Sequence, residues 1–139
     1  MSDILKILWE RDQQSFQLRC DQGRNPLHCA ADRGYLEGVN FLLNKFCASA
    51  YQRDKHGLFP IHIASRKGHI DIIQEMLRHC PDSRELLTLE GHNIIRVAAK
   101  TGKVKAVSCM LKMPELEKLL NERDRDGNTP LHVATVYGN

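Results

Sequence analysis

Asp126-Gly127-Asn128-Thr129-Pro130-Leu131-His132-Val133-Ala134-Thr135 is the stretch from which the fold of this chain can be read. Asp-Gly-Asn supplies residues that tolerate positive φ and so marks a tight turn. Thr129 can cap a helix with its hydroxyl. Pro130 suits the first helical position, where its missing N–H would have no partner in any case. Leu131, Val133 and Ala134 then open an apolar face. Weaker copies of the same stretch occur three times upstream.

The turn glycines Gly23, Gly57, Gly91 and Gly127 are separated by 34, 34 and 36 residues. A second set, Gly34, Gly68, Gly102 and Gly138, keeps the same spacings, and so do Ala30, Ala64, Ala98 and Ala134. Three series in phase define an internal repeat. The copies run Gly23-Arg-Asn-Pro-Leu-His-Cys-Ala-Ala-Asp-Arg-Gly34, Gly57-Leu-Phe-Pro-Ile-His-Ile-Ala-Ser-Arg-Lys-Gly68 and Gly91-His-Asn-Ile-Ile-Arg-Val-Ala-Ala-Lys-Thr-Gly102, followed by the opening stretch. A second helix is expected after each of the first three, over Leu36–Asn44, Ile70–Cys80 and Val104–Met113. Val39/Leu42/Leu43, Ile73/Met76/Leu77 and Val107/Met110/Leu111 give each one an i, i+3, i+4 apolar stripe.

A period in the low thirties, with a turn and two helices per unit, resembles the ankyrin repeat, and each copy is similar to the pattern G-x-T-P-L-H-x-A-A-x-x-G. The resemblance implies an all-α ankyrin-repeat solenoid of β-turn plus helix-turn-helix units. About three nearly complete repeats are expected, with a half repeat at each end. A shift of 34 residues places Leu5 on Val39, Leu8 on Leu42 and Trp9 on Leu43. Residues 3–20 therefore read as the second half of a repeat, followed by repeats at 21–53, 54–87 and 88–123 and a truncated one at 124–139, all in one domain over 1–139. Two connections, Pro81–Leu87 and Pro114–Leu120, each begin with Pro and end in Leu-Leu, and read as an extra helical turn. Ala48–Tyr51 holds the equivalent place after the first full repeat.

The copies also depart from the pattern. Repeat three carries Asn93-Ile94-Ile95-Arg96 and loses both Pro and His. Phe59 replaces the capping Thr of repeat two, removing a hydroxyl cap of ~1 kcal/mol, whereas Asn25 in repeat one can still cap. Cys20 and Thr88 stand where Asp54 and Asp124 begin the turn.

The phrases PIHIASRKGHIDIIQEML, CPDSRELL, VAAKTGK and NERDRDGNTPLHVAT further resemble the plant ankyrin–transmembrane family of the accelerated-cell-death type, whose members carry a C-terminal membrane block, the PGG domain. That resemblance implies a cytosolic ankyrin module of a membrane-associated defence and stress signalling protein, on the cytosolic face of the plasma membrane or another cellular membrane. A soluble adaptor or inhibitor of a transcription or ubiquitin-pathway partner is the alternative.

Composition narrows the function classes. The 139 residues are 27% charged and 42% apolar, with a net charge of +3, which is ordinary for a soluble domain and too modest to point to nucleic acid. Cys20, Cys29, Cys47, Cys80 and Cys109 are odd in number and form no C-x-x-C pair, so they read as reduced intracellular thiols. Asp3, Lys6, Glu10, Arg11 and Asp12 break any secretory apolar core, and no stretch is long enough for a membrane helix. A soluble, cytoplasmic chain is expected. The P-loop, G-x-S-x-G, H-E-x-x-H and G-x-G-x-x-G motifs are absent, so neither an enzyme nor a cofactor is expected.

His28, His62 and His132 recur at repeat spacing, about 10 Å apart in a stack of helices. That is too far for shared metal ligation, where zinc–nitrogen bonds are ~2 Å. They are expected instead to bond turn backbone and lock neighbouring repeats. Cys29 aligns with Ile63 and Val97 and is expected in the core. Trp9 is expected to pack on the Leu36–Asn44 helix. For recognition, the turn tips offer Arg24, His56, Leu58, His92 and Arg125, and the positions flanking the second glycine set offer Arg33, Arg66, Lys67, His69, Lys100, Lys103 and Tyr137. Such tips and first helices would line a concave protein-binding face. Arg66, Lys67, Lys100 and Lys103 would form a positive strip suited to an acidic partner. The other reading of those four residues is a solvated face that keeps the protein soluble.

Overall fold

The computed structural model describes residues 2–137, with the backbone alone at 2, 133, 134, 136 and 137. The helices are α1 (Ser2–Arg11), α2 (Pro26–Arg33), α3 (Leu36–Lys45), α4 (Pro60–Lys67), α5 (Ile70–His79), α6 (Ile94–Lys100), α7 (Val104–Leu111) and α8 (Pro130–Tyr137). Short 3-10 segments at Gln13–Gln17, Cys47–Tyr51, Pro81–Glu85 and Pro114–Asn121 occupy the connections. The extra turns expected after Pro81 and Pro114 are therefore present, wound more tightly than an α-helix. The α7 helix ends at Leu111, short of the expected Met113, because Pro114 disfavours helical backbone in the residue before it.

The first full repeat shows how a first helix is started and ended. The Asn25 side chain accepts the His28 N–H at 2.9 Å and starts α2. Gly34 then ends it at φ 70°, a left-handed conformation that glycine adopts without steric cost. The Gly34 position is also shielded, because the His69 ring of the next repeat lies against it.

The helices α2, α4, α6 and α8 stack in one row, α1, α3 and α5 in another, and α2–α3, α4–α5 and α6–α7 form the pairs within repeats. Leu27, Ile61 and Ile95 recur at one position and are all buried, as are Ala30, Ala64 and Ala98, whose small side chains let the stacked helices approach. The α1 helix packs on α3 as its register implies. The Trp9 ring centroid lies 4.9 Å from that of Phe46 and 6.4 Å from that of Phe41, both nearly edge-on.

Cys29 corrects an expectation: it is exposed and not in the core. Its counterparts Ile63 and Val97 are buried because a helix of the same row lies on either side, whereas α2 is the first of that row. Leu131 is the mirror case. It aligns with Leu27, yet on the last described helix of the row it is 72% exposed.

Candidate functional site

The turn tips are rigid because a side chain ties each one from within. The Asp54 carboxylate, itself buried, accepts the N–H groups of His56 and Leu58, each at 2.9 Å. Burial pushes its pKa up, but these two N–H groups together with His28 and Arg24 outweigh that and hold it below the ordinary value. Asp124 repeats the arrangement with Asp126 and Asn128 at 2.9 and 2.8 Å. The Thr88 hydroxyl accepts the His92 N–H at 3.1 Å. At Cys20 the N–H groups of Arg24 and Gln22 lower the thiol pKa, so sulfur takes the place of the carboxylate.

The repeat histidines bond backbone as expected, but among the described residues only His28 reaches the next unit; His62 ties the start of α4 to the end of its own repeat. In His62, Nδ1 accepts the Phe59 N–H at 3.2 Å, which leaves Nε2–H to donate to the Leu86 carbonyl at 3.0 Å. His28 does the same between Asn25 N–H at 3.1 Å and Leu58 O at 2.9 Å. Both rings are neutral as a result, and burial pushes the His62 pKa down to about 4. In repeat three the lock is Arg96, which is buried. Its guanidinium donates to the carbonyls of Gly91 at 3.3 Å, Glu122 at 2.6 Å and Asn128. In the repeat pattern Arg96 stands only as a lost histidine. Its alignment with His28 and His62, together with its five donors, was the available signal.

The positions proposed for recognition divide into three groups. His56, Leu58, Arg66, His92 and Lys100 come together, with Glu90, around one open groove of about 360 Å³. Within it Lys100 Nζ lies 3.7 Å from Glu90, and His92 lies 3.7 Å from Glu90 and 3.4 Å from Asp124. Burial keeps the His92 pKa below its usual value.

A second group serves the scaffold. His69 Nε2 lies 3.2 Å from the Asp32 carbonyl, the Lys103 stem covers Gly68, and Arg125 donates to the Leu89 carbonyl at 2.9 Å. Arg24 lies 3.5 Å from Asp54 and 3.9 Å from Asp32, which Lys67 also approaches at 3.6 Å. The four-cation strip is therefore interrupted by acids, a pairing that spacing along the chain could not reveal.

The third group lies apart. Arg33 borders a separate apolar groove with Leu5, Leu8, Phe16 and Tyr35. The Tyr137 side chain falls outside the described residues. Among the described residues no three His, Cys, Asp or Glu side chains cluster as a metal site, and no helix is long and apolar enough to cross a membrane.

A family model of ankyrin repeats in three copies matches residues 61–139, and a model of the single ankyrin repeat matches residues 22–55. A comparison with curated proteins finds no match.

Proposed function

This chain belongs to the ankyrin repeat family, and on that premise we propose that it is a non-catalytic module whose protein partner lies across the groove between the second and third turn tips. Ankyrin repeats mediate protein binding, and their specificity resides in variable surface side chains supported by a constant frame. The observation that carries the proposal is the convergence of Arg66, Lys100, His92 and Leu58 on one opening beside tips that are already pinned. Rigid tips lose little conformational freedom on binding. The partner segment is acidic with an apolar residue: its carboxylate meets Arg66 and draws Lys100 from Glu90, and its apolar side chain covers Leu58.

The wider setting we propose is the cytosolic part of a plant membrane-associated defence or stress signalling protein. Its support is the similarity of the four phrases quoted above.

Peptides selected from a displayed random library against the whole chain should be acidic, and their affinity should fall as salt rises. The double variant Arg66→Glu/Lys100→Glu should bind them at least tenfold more weakly with unchanged helicity, since each partly desolvated charge contact contributes on the order of 1 kcal/mol or more. Selection of neutral peptides, or affinity unchanged in the double variant, would overturn the groove as the site. For the wider setting, the reading frame beyond Asn139 should encode several apolar segments; a stop codon without them would sink it.

A further inference from the structure

Two thiols from successive repeats face each other away from the groove. Cys47 opens the 3-10 segment after α3, and Cys80 closes α5, 33 residues later; their sulfur atoms lie 3.2 Å apart. The repeat counterpart of Cys80 is Phe46, with nearly the same backbone angles (φ −136°, ψ 69° against φ −132°, ψ 75°). Cys47 is thus displaced by one position from that register. The displacement carries its side chain across to the neighbouring repeat.

The two cysteines differ in environment. Cys47 is exposed and Cys80 is buried, with the Tyr51 hydroxyl beside it. We propose that Cys47 and Cys80 are a redox modification site, joined reversibly by a disulfide when the protein meets hydrogen peroxide, so that the first full repeat is clamped to the second. The inference does not depend on the partner-binding reading.

Access sets the order of events. Burial pushes the Cys80 thiol up to about 12, so it stays protonated, and the exposed Cys47 meets the oxidant first. Cys47 sulfur attacks one peroxide oxygen, the O–O bond breaks, and sulfenic acid and one water form. Cys80 sulfur then attacks the Cys47 sulfur. The S–O bond breaks, and the departing hydroxide takes the Cys80 proton as a second water. Two thiols lose two electrons in total, and one peroxide is reduced to two waters. The second step needs only that the sulfurs close by about 1 Å to bonding distance.

The test is peroxide treatment of the whole chain, followed by alkylation, tryptic digestion and mass spectrometry. The fragments 46–53 and 79–84 should appear joined by one disulfide that dithiothreitol reverses. The oxidised chain should also melt roughly 5–10 °C higher, because a bridge across a loop of this length restricts the unfolded chain. Cys47→Ser, at an exposed position, should abolish both the joined fragment and the shift. Cys80→Ala should leave Cys47 to proceed to sulfinic acid for want of a second thiol. A fragment map in which Cys20 pairs with Cys29 while 46–53 and 79–84 stay separate would overturn the proposal, as would a melting shift that persists in Cys47→Ser.

Discussion

At position 96 a buried arginine does the work that histidine does elsewhere in the array. His28 reaches one carbonyl of the following repeat and His62 one at the end of its own, whereas Arg96 reaches three carbonyls. Truncation would leave those acceptors without their donor, and each such loss costs about 1–3 kcal/mol. Arg96→Ala should therefore lower stability by roughly 3 kcal/mol or more, and Arg96→His by less, because the ring restores one bond to a backbone carbonyl. Urea denaturation of the three proteins gives the order directly.

The neutral His62 makes a second prediction. Its folded pKa of about 4 lies below the ordinary 6.5, so its contribution is complete above pH 6.5 and is lost as the pH falls towards 4, where the unfolded chain gains the proton and the folded one does not. At ~1.4 kcal/mol per pH unit the loss is roughly 3 kcal/mol. His28 shifts in the same direction. Stability measured from pH 7 to pH 4 should show a steep fall that flattens in His62→Gln; an unchanged slope in that variant would assign the fall elsewhere.

Among the elements, α4 shows how packing overrides a local signal. Phe59 offers no side-chain cap, and repeat two loses about 1 kcal/mol that Thr would supply there. Yet Phe59 is buried in the core, and the Arg53 guanidinium lies 4.4 Å over its ring. Deleting a buried Phe side chain costs about 3–5 kcal/mol. Phe59→Thr should accordingly destabilise the protein by roughly 2 kcal/mol, although it matches the repeat pattern better. A higher urea midpoint in the variant would show that the cap prevails. The helices themselves were legible in the sequence because their caps, turn glycines and apolar stripes lie within a few residues of one another. The 3-10 character of the connections was not legible, since a Pro followed by one helical turn does not specify its winding.

At the scale of the whole molecule, the described stack leaves apolar side chains at both extremities. Ile4, Ile7 and Leu8 are 56%, 64% and 50% exposed on α1, and Leu131 is 72% exposed on α8. Repeat arrays need polar outer faces to stay dispersed. The chain should sediment with a concentration-dependent increase in mass, and Ile7→Lys/Leu131→Lys should reduce it. A monodisperse wild type over the same range would contradict this. The groove belongs to this scale too. Its cations were readable as a series, but Asp32 reaches Lys67 from the neighbouring helix α2, which depends on how the helices stack, and Glu90 reaches Lys100 from the turn before α6.

The repeat period, the turns, the capped helix starts and the general role of the repeat histidines followed from the sequence alone, because each rests on contacts within one unit or on the strict recurrence of units. The tertiary structure decided what the contact between units does to particular side chains. Arg96 became a lock between units because Asn128, in the turn beginning at Asp124, lies within its reach. Cys29 remained exposed because, among the described residues, no helix of its row packs on the outer side of α2. Cys47 met Cys80 through a one-residue displacement that only the stacked backbone converts into proximity. The 126–135 stretch carries the motif in its cleanest form, while the chain's individual chemistry lies upstream, where the copies differ and touch.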